Sequence, residues 1–474
     1  MSEIRIILHG GSGEVTGSCH EIRTPRSRIL VDFGLFQGGP STEAGNRRRL
    51  PIDPAELDAV LITHAHADHV GRVPMLPADR LGGPILATAA TRDLAAIILR
   101  DSARIQAQDL ARIARRRRRR GRDDRSAIAP LYMPEDVERS LQRFEPVDVG
   151  RPVTVTPDIT ATWLDAGHIL GSCSIRLEIR TGASGGADPL RTIVFSGDIG
   201  QRDTPLLRDP TPIEHADLVL MESTYGDRDH RPPAETRAEF AAVIRAAADA
   251  GEKVLVPAFA VGRTQTLLHE LRAGMADGTI PRIPVFVDSP MAINATETYR
   301  AHPECFDAEA LEVLRRGEGP MHPPGLRMIR EARESRELND SWDPAIIIAG
   351  SGMCTGGRIL HHLKHNLWRR NVSVVFVGFQ ARGTLGRRLV DGERMVRVLG
   401  EPVAVRASIH TIGGFSAHAG RTELIAWAEA VRSGRRRFIL NHGEPPASAA
   451  LAEALVARGI DARPGLPRET IAVD

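Results

Sequence analysis

The sequence predicts an α/β protein in which a β-rich sandwich core with outer helices is interrupted by an inserted α/β unit. Over the first 200 residues, strand patterns outnumber helical ones, in the order EIRIILHG, RILVDFG, AVLITH, PILAT, ITATWLD, SIRLEIR and TIVFSGD. From about residue 228, strands alternate with helices of 10 to 15 residues, which indicates a parallel sheet. The last 60 residues return to short strands and one helix, which indicates a return to the first domain.

The individual elements follow from local patterns. In the first part, helical periodicity is found mainly around residues 89–99 and 134–144. In the insertion, RAEFAAVIRAAADAG and TQTLLHELRAGMADG predict helices, and VLVPAFA and VFVDSPMA predict strands. Further along, AIIIAGSG and VSVVFVGFQ predict two more strands with a helix over 358–367 between them. The chain therefore reads as a core, an insertion and a return to the core.

The overall charge argues against a dedicated nucleic-acid binder. The 474 residues carry 62 basic and 60 acidic side chains, a formal net charge of +2, whereas such binders usually have a basic excess. Aromatic residues are only 4% of the chain, which leaves few side chains to stack on bases. All basic residues except Lys253 and Lys364 are arginines. Codon bias is the simpler explanation, and phosphate recognition by planar guanidinium groups is the alternative.

Composition also predicts the compartment. The hydrophobic fraction of 42% and charged fraction of 26% are those of a globular protein. No apolar run approaches the roughly 18 residues that a membrane span requires, and the start MSEIRIILHGG lacks the features of a secretory signal. Cysteines 19, 173, 305 and 354 are scattered, with no CxxC pair. These features predict a cytoplasmic protein without disulfides, a zinc ribbon or a membrane partner.

The strongest chemical signal is the run His64-Ala65-His66-Ala67-Asp68-His69, directly after the strand pattern DAVLIT. Residues i and i+2 of an extended segment point the same way, so His64 and His66 can hold one ion. Asp68 and His69, in the following turn, point elsewhere and can hold a second ion. Imidazole and carboxylate ligands together suit zinc and, less selectively, manganese or iron.

Further ligands stand at similar positions after other strands. His168 lies in TWLDAGHILGS, Asp198 in IVFSGDIG and His442 in RFILNHGE. Each of them alone also fits a turn or capping residue. Together they predict one site from His64, His66, His168 and Asp198, and a second site from Asp68, His69, Asp198 and His442. Two ions about 3.5–4 Å apart lower the pKa of a bridging water and clamp both oxygens of an in-line displacement.

These motifs resemble the metallo-β-lactamase fold, and the inserted unit resembles its β-CASP branch, a family of nucleic-acid-processing hydrolases that includes RNase J. The resemblance spans essentially the whole chain. It implies an αββα sandwich over 1–225 and 413–474, with a β-CASP domain inserted at 226–412. Beyond the metal ligands, the family's motifs map onto Asp32, Glu222 in LVLMESTYG and His418 in GFSAHAG. The His at position 442 resembles the residue that RNA-type members have at this motif. The short segment after it resembles the compact bacterial group that is related to the 3′-end nuclease.

The resemblance implies a zinc-dependent ribonuclease with two Zn²⁺, for which Mn²⁺ is the alternative. In this hypothesis a hydroxide bridging the ions attacks phosphorus, and His418, oriented by Glu222, protonates the leaving 3′-oxygen. The products carry a 5′-phosphate and a 3′-hydroxyl. Asp68 and Asp198 complete the predicted catalytic set, and Asp32 orients ligand imidazoles. Single-stranded RNA is the predicted partner, and a homodimer is a second partner prediction.

Three strand–loop–helix segments of the insertion predict substrate contacts. AIIIAGSGMCTGGRILHHL, GFQARGTLGRRL and PAFAVGRTQTLL each place glycines, hydroxyls and an arginine at the start of a helix, where free backbone N–H groups suit a phosphate. A Gly-rich loop of this kind is, taken alone, often only a tight turn. The predicted substrate-binding residues are Ser351, Gly352, Thr355, Arg358, Gln380, Arg382, Thr384, Arg263 and Thr264.

A basic run between Arg112 and Arg125 has two interpretations. Its nine arginines are Arg112, Arg115, Arg116, Arg117, Arg118, Arg119, Arg120, Arg122 and Arg125, and only Asp123 and Asp124 oppose them. Charge runs are usually solvated arms. The alternative is an electrostatic funnel for RNA, whose binding would weaken with salt.

Two other functions remain open from the sequence. One is a small-molecule metallo-hydrolase of the thioesterase or lactonase type on the same fold, which would not need the Glu222–His418 pair or the three loops. The other is a non-catalytic RNA-binding scaffold with a degenerate site, although every motif position here has a competent side chain. The sequence leaves endonucleolytic and 5′-exonucleolytic cleavage, and the RNA targets, undecided.

Overall fold

The structure of the chain is a computed structural model that describes residues 4–48, 51–119, 129–180 and 190–473, without the side chains of residues 40 and 114–119. Numbered in chain order, the strands are β1 (Ile4–Gly10), β2 (Cys19–Arg23), β3 (Arg28–Val31), β4 (Ala59–Leu61), β5 (Ile85–Thr88), β6 (Phe144–Val147), β7 (Val153–Thr156), β8 (Ile159–Asp165), β9 (Cys173–Arg180), β10 (Leu190–Phe195), β11 (Leu218–Glu222), β12 (Lys253–Pro257), β13 (Val285–Val287), β14 (Leu326–Met328), β15 (Ala345–Ala349), β16 (Val372–Phe376), β17 (Met395–Val398), β18 (Glu401–Ala404), β19 (Ser408–Thr411), β20 (Arg437–Asn441), β21 (Asp461–Pro464) and β22 (Thr470–Val473).

The α-helices are numbered in the same way. They are α1 (Pro40–Glu43), α2 (Ala67–Val70), α3 (Ala89–Arg119), α4 (Pro134–Leu141), α5 (Pro233–Asp249), α6 (Arg263–Asp277), α7 (Pro290–Ala301), α8 (Ala308–Arg315), α9 (Ala332–Asp340), α10 (Ile359–Asn366), α11 (Leu385–Val390), α12 (Arg421–Ala430) and α13 (Pro445–Val456). Among the described helices, none combines the length and the apolar composition that crossing a bilayer requires.

The described residues divide into two compact units. The first comprises residues within 1–202, 209–229 and 418–474, and the second those within 203–208 and 230–417. The first unit is thus built from both ends of the chain, with the second unit inserted between them. The domain borders at 225/226 and 412/413 stay predictions, because the compactness of a unit does not define a domain border to the residue.

The first unit is a sandwich of two sheets. One sheet has the strand order β22-β1-β2-β3-β4-β5-β6 and the other β21-β20-β11-β10-β9-β8-β7. Their inner faces share one core, to which the first sheet gives Ile6 and Leu61 and the second Trp163 and Ile193. Helices α12 and α13 cover the outer face of the second sheet, and α3 packs against β5 and β6 of the first. These layers form an αββα sandwich, so the predicted fold class is confirmed.

Parallel pairing positions the functional residues. Strands β3, β4, β5 and β6 pair in parallel in one sheet, and β10, β11, β20 and β21 do so in the other. The carboxyl ends of parallel neighbours meet at one edge of their sheet, which is where open α/β sheets bind ligands. Segments far apart in the sequence are therefore brought together after these strands.

The second unit has a six-stranded sheet in the described part of the chain, in the order β14-β13-β15-β12-β16-β19. All of its pairings are parallel, as the alternation of strands and helices predicted. Helix α10 packs on this sheet through Ile359 and Leu363, beside Leu255 and Val374. Strands β15 and β16 are buried on both of their faces, which explains the apolar runs AIIIA and VSVVF.

Helix lengths differ from the sequence patterns in two places. The pattern at 89–99 extends in the structure to α3, which ends at Arg119, because no Gly or Pro interrupts residues 89–119 and Ala and Arg favour helix. The pattern at 134–144 ends earlier, at Leu141, since Phe144 starts β6. Of the basic run, Arg112 is paired with Asp109 at 3.0 Å; the remaining arginine side chains lie outside the described residues.

Candidate metal centre

The predicted metal ligands lie where strands of the first unit end. The HAHADH run follows β4 and leads into α2, and His168 lies in the loop after β8. Asp198 follows β10, and His442 directly follows β20. The structure brings these residues to one place although they lie up to 378 positions apart, since the sequence separates His64 from His442 by that much. All of them belong to the first unit.

Glycines allow two close approaches beside the site. A Cβ at Gly34 would lie 1.5 Å from the carbonyl oxygen of Asp68, so only glycine lets the loop after β3 touch α2. A Cβ at Gly200 would lie 2.0 Å from the carbonyl oxygen of Gly167. The second approach holds the loop that carries His168 against the loop that follows β10.

The first group of ligand atoms is a compact set of three imidazoles and one carboxylate. His66 Nδ1 lies 3.2 Å from His64 Nε2 and 3.1 Å from His168 Nε2. Asp198 Oδ2 lies 3.3 Å from His64 Nε2 and 3.5 Å from His168 Nε2. One ligand atom from each of the four residues lies within 4.8 Å of all the others. Mutual distances of this size are those of atoms that surround a single ion.

The second group faces the other carboxylate oxygen of Asp198. Asp198 Oδ1 lies 3.3 Å from His69 Nε2 and 3.4 Å from His442 Nδ1. His442 Nε2 lies 3.4 Å from Asp68 Oδ2, and Asp68, His69 and His442 offer three ligand atoms within 4.8 Å of one another. Asp198 therefore has one oxygen toward each group, as a bridging carboxylate would.

The chemistry of these donors fits divalent metal ions. Burial lowers the pKa of His64, His66 and His168, that of His66 to about 3, so these imidazoles are neutral and able to bind a cation. Burial alone would raise the pKa of Asp198, but the facing His442 and His69 hold it well below its usual range. Among the described residues, His69 Nε2 and Asp198 Oδ1 are buried without a hydrogen bond, which a cation between them would satisfy.

Asp32 contacts the ring nitrogen of His69 that does not face Asp198. Its Oδ2 lies 2.7 Å from His69 Nδ1, and its two oxygens accept hydrogen bonds from the backbone N–H and the hydroxyl of Thr63, both at 2.8 Å. The Thr63 hydroxyl also lies 3.0 Å from His64 Nδ1. Asp32 therefore orients an imidazole of the second group, and Thr63 links it to the first.

Glu222 and His418 form a second pair beside the ligands. Glu222 ends β11 and is fully buried, and its Oε1 accepts a hydrogen bond from the backbone N–H of Ile199 at 2.5 Å. His418 Nδ1 lies 3.1 Å from Glu222 Oε2, and its side chain is 20% exposed. Burial lowers the pKa of His418, but the carboxylates of Glu222 and Asp198 outweigh it and raise the pKa to about 9. This imidazole is therefore protonated at neutral pH.

Two positioning residues were not predicted from the sequence. Thr63 directly precedes the HAHADH run, and Thr224 stands two residues after Glu222. The Thr224 hydroxyl lies 3.1 Å from His442 Nδ1 and donates to the His442 carbonyl at 3.0 Å. A hydroxyl next to a ligand-bearing strand end was the available signal, but Thr is common in strands and the signal is weak.

The predicted substrate-binding residues lie in the second unit, where many of their polar atoms bind the protein itself. Ser351 Oγ accepts from the backbone N–H groups of Thr355 and Gly356 at 3.0 and 3.2 Å. Arg358 donates to Asp288 Oδ1 at 2.5 Å and to the Ile329 carbonyl at 3.0 Å. The hydroxyl of Ser351 thus shapes its loop, and the guanidinium of Arg358 is paired with a buried carboxylate.

The other two loops show the same pattern. Gln380 Nε2 donates to the Gly352 carbonyl at 3.0 Å, and Thr384 caps α11 by accepting from the backbone N–H of Arg387 at 3.2 Å. The Thr264 hydroxyl donates to the carbonyl of residue 259 at 2.7 Å. Arg382 is exposed and Arg263 half-buried. A phosphate contact by any of the nine residues stays a prediction.

The fold and the site together define a metal-dependent hydrolase of the metallo-β-lactamase superfamily. The family of that name matches residues 12–84, the Beta-Casp domain matches 264–389, and the Zn-dependent metallo-hydrolase RNA specificity domain matches 402–463. The match at 264–389 lies within the second unit, and the match at 402–463 spans the return to the first.

Curated relatives agree with these matches. Ribonuclease TTHA0252 of Thermus thermophilus is 39% identical over 456 residues, 96% of this chain and 97% of its own length. Transcription termination factor FttA of Thermococcus kodakarensis is 34% identical over 459 residues, 93% of this chain and 67% of its own. The chain therefore belongs to the β-CASP family of metallo-β-lactamase-fold hydrolases, and the family predicted from the motifs is confirmed.

A solved structure extends the likeness to the fold alone. The crystal structure of a protein of unknown function from Enterococcus faecalis V583 superposes with a TM-score of 0.54 and covers 100% of both chains at 12% identity. Another chain therefore adopts this fold with little sequence in common.

Proposed function

We propose that this chain is a zinc-dependent ribonuclease that hydrolyses RNA phosphodiester bonds to 5′-phosphate and 3′-hydroxyl ends. The observation that carries the proposal is the clustering of seven metal-ligand candidates with the His418–Glu222 pair in one unit. Membership of a family with an RNA specificity domain supports RNA as the substrate, as does a relative that is named a ribonuclease.

Two Zn²⁺ ions are proposed for the two ligand groups, with Mn²⁺ as the alternative metal. His64, His66 and His168 would hold one ion. Asp68, His69 and His442 would hold the other, and Asp198 would serve both. When bound, such ions lower the pKa of a water and offset the negative charge that develops on the phosphate. Mixed imidazole and carboxylate donors support zinc over magnesium or calcium, which prefer oxygen ligands alone.

His418 is the proposed general acid. Glu222 fixes Nδ1, which leaves Nε2 as the atom that delivers a proton to the leaving 3′-oxygen. Because Glu222 is itself held by the backbone N–H of Ile199, the imidazole is oriented as well as kept protonated. Asp32 acts at one remove, by holding His69 in the tautomer that presents Nε2 to a cation.

Single-stranded RNA is the proposed substrate, bound by loops of the second unit. A small-molecule hydrolase of the thioesterase or lactonase type is the alternative. The ribonuclease is favoured because the 3′-oxygen of RNA is a poor leaving group that needs a general acid, and His418 is placed to be one. A non-catalytic scaffold is disfavoured by the complete set of ionisable side chains. A homodimer and a cytoplasmic location complete the proposal; four free cysteines support a reducing compartment.

The test is cleavage of end-labelled RNA that carries either a 5′-hydroxyl or a 5′-monophosphate. We expect products with 5′-phosphate and 3′-hydroxyl ends, and the product ladder separates endonucleolytic from 5′-exonucleolytic cleavage. Hydrolysis of a thioester or a lactone without cleavage of RNA would overturn the proposal. Light scattering of the same preparation measures whether a homodimer forms.

His418→Ala is the control for contaminating nucleases, because it is purified in the same way. We expect its turnover to fall by a factor of about 10²–10⁴, the usual contribution of general acid catalysis, while both metals stay bound. Near-normal turnover of this variant with its metals in place would show that His418 is not the acid.

A further inference from the structure

Three loops of the second unit meet at the carboxyl edge of its sheet. The loop at 258–262 follows β12, the loop at 350–358 follows β15, and the loop at 377–384 follows β16. These strands are neighbours in the order β15-β12-β16 and run in parallel. Carboxyl edges of parallel sheets are the usual place for ligands, so the side chains exposed there deserve a chemical explanation.

Polar and apolar side chains of these loops are placed in the opposite way to an ordinary surface. The polar groups of Ser351, Thr264 and Gln380 are bonded to the loops' own backbone. In contrast, Phe259 is 46% exposed and Phe379 is 61% exposed. Exposed phenylalanine is unfavourable in water unless something covers it. The edge therefore exposes two aromatic side chains, while these three polar side chains are engaged within the loops.

Contacts beneath the two rings tie them to one framework. A Cβ at Gly352 would lie 3.0 Å from Phe259 Cδ2, so the ring of Phe259 packs on the bare backbone of the neighbouring loop. The next residue after Phe379 is Gln380, whose side chain is bound to the carbonyl of the same Gly352. The ring of Phe259 thus rests on the loop after β15, and the backbone that carries Phe379 is tied to the same loop through Gln380.

Charge at this edge favours an anionic partner. Residues 258–269, 350–365 and 377–390 contain no aspartate or glutamate, but they include Arg263, Arg358 and Arg382. The guanidinium of Arg358 is neutralised by Asp288, whereas Arg382 is exposed. A ligand with planar apolar faces and a negatively charged backbone matches this combination, and unpaired nucleotides have both.

We propose that Phe259 and Phe379 are stacking platforms for unpaired bases of single-stranded RNA, with Arg382 facing the RNA backbone. This inference rests on the proposed function and deepens it by naming how the substrate is held. Stacking uses the face that every base has, so recognition tolerates any sequence. A duplex keeps its faces stacked on its own neighbours, so the platforms select single strands.

The test compares binding of a short oligouridylate with binding of an abasic oligomer of the same length, both with phosphorothioate linkages that slow cleavage. Phe259→Leu and Phe379→Leu keep an apolar side chain but remove the aromatic face. We expect each substitution to raise the Kd for the oligouridylate roughly tenfold, as for loss of one stacked base. The Kd for the abasic oligomer should not change. Phe379→Trp restores affinity, since indole also stacks.

Met395→Ala is the matched control, because Met395 is an equally exposed apolar residue of the same unit at 57% exposure, and we expect it to bind both oligomers normally. Equal loss for both oligomers, or no loss for either, would overturn the inference. Binding is read without turnover, so a chain that binds bases through these rings but does not cleave RNA would refute the proposed function alone.

Discussion

Asp198 is the residue on which the candidate metal centre depends most. Its Oδ2 faces His64 and His168, and its Oδ1 faces His69 and His442. No other described carboxylate in this cluster has an oxygen toward each ligand group. A neutral side chain in its place would remove a shared negative ligand from both ions.

Asp198→Asn should therefore remove most of the bound metal. The amide keeps the shape of the side chain but loses the charge that attracts a cation. Elemental analysis of metal per chain measures the loss, and Asp109→Asn, on the exposed surface of α3, serves as the control with full metal content. Unchanged metal content in Asp198→Asn would contradict the bridging role.

Glu222→Gln should move the alkaline limb of the pH–rate profile to lower pH. The carboxylates of Glu222 and Asp198 raise the pKa of His418 to about 9, against the opposing effect of burial. A general acid works only below its pKa. Without the Glu222 charge the pKa of His418 falls, by about one unit or more for the loss of an adjacent opposite charge, so activity is lost at a lower pH.

The measurement is kcat against pH at saturating RNA. Glu312→Gln, an exposed substitution on α8, should leave the profile unchanged. An alkaline limb that does not move in Glu222→Gln would assign the proton to another group.

Among the helices, α6 carries a titratable group with a consequence for stability. Glu270 is 7% exposed, and burial, reinforced by Glu309, raises its pKa to about 7 although Arg237 opposes the shift. The folded protein thus holds a proton up to pH 7, while the unfolded chain releases it near the ordinary value of 4.5. Between these values the folded state binds more protons, so the free energy of unfolding falls as pH rises.

Glu270→Gln should abolish this slope, because the amide does not ionise. The free energy of unfolding of the variant, taken relative to that of the parent, should be roughly 2–3 kcal/mol higher at pH 8 than at pH 5. Urea unfolding at both pH values measures the difference, and Glu235→Gln, exposed at the start of α5, controls for the loss of a charge. A difference from the parent that is the same at both pH values would contradict the buried titration.

Helices and strands were predictable from the sequence where their pattern is local. The helix predicted at 358–367 is α10, with Arg358 and Leu367 as its two caps, because apolar spacing marks its buried face. Phosphate binding by the loops of the second unit could not be predicted in the same way. Whether a Ser or Thr hydroxyl points to a ligand or bonds its own backbone depends on the exact turn, and a Gly-rich pattern does not contain that information.

At the scale of the whole molecule, metal binding should stabilise one unit and not the other. All the ligand candidates lie in the first unit, and each unit has its own hydrophobic core. A ligand that binds only the folded state at about 100 times its Kd adds about 2.7 kcal/mol to the free energy of unfolding. Only the first unit should therefore gain stability.

Calorimetry with and without a chelator tests this prediction. For a unit of this size the expected loss is roughly 5–10 °C in the Tm of one transition, and the second transition should not move. Asp198→Asn, already depleted of metal, should not respond to the chelator. A single transition that the chelator lowers as a whole would show that the two units unfold together, and two transitions that both shift would contradict a metal effect confined to the first unit.

The sequence by itself determined the fold class, the family and the kinds of ligand. Buried apolar runs specify strands and helices through short-range periodicity, and the HAHADH run places four donors within six residues. Donor type and spacing are properties of neighbouring residues, so they are visible without a structure.

Only the tertiary structure decided which atoms face each other. These contacts depend on the parallel registers of β3, β4, β10, β11 and β20. They include the two directions of the Asp198 carboxylate, the hydrogen bond between Asp32 and His69, and the hydrogen bond from the backbone N–H of Ile199 to Glu222. The exposure of Phe259 and Phe379 depends in the same way on how their loops pack. Contacts between segments hundreds of residues apart are set by sheet order and packing of the whole chain, which local patterns do not encode.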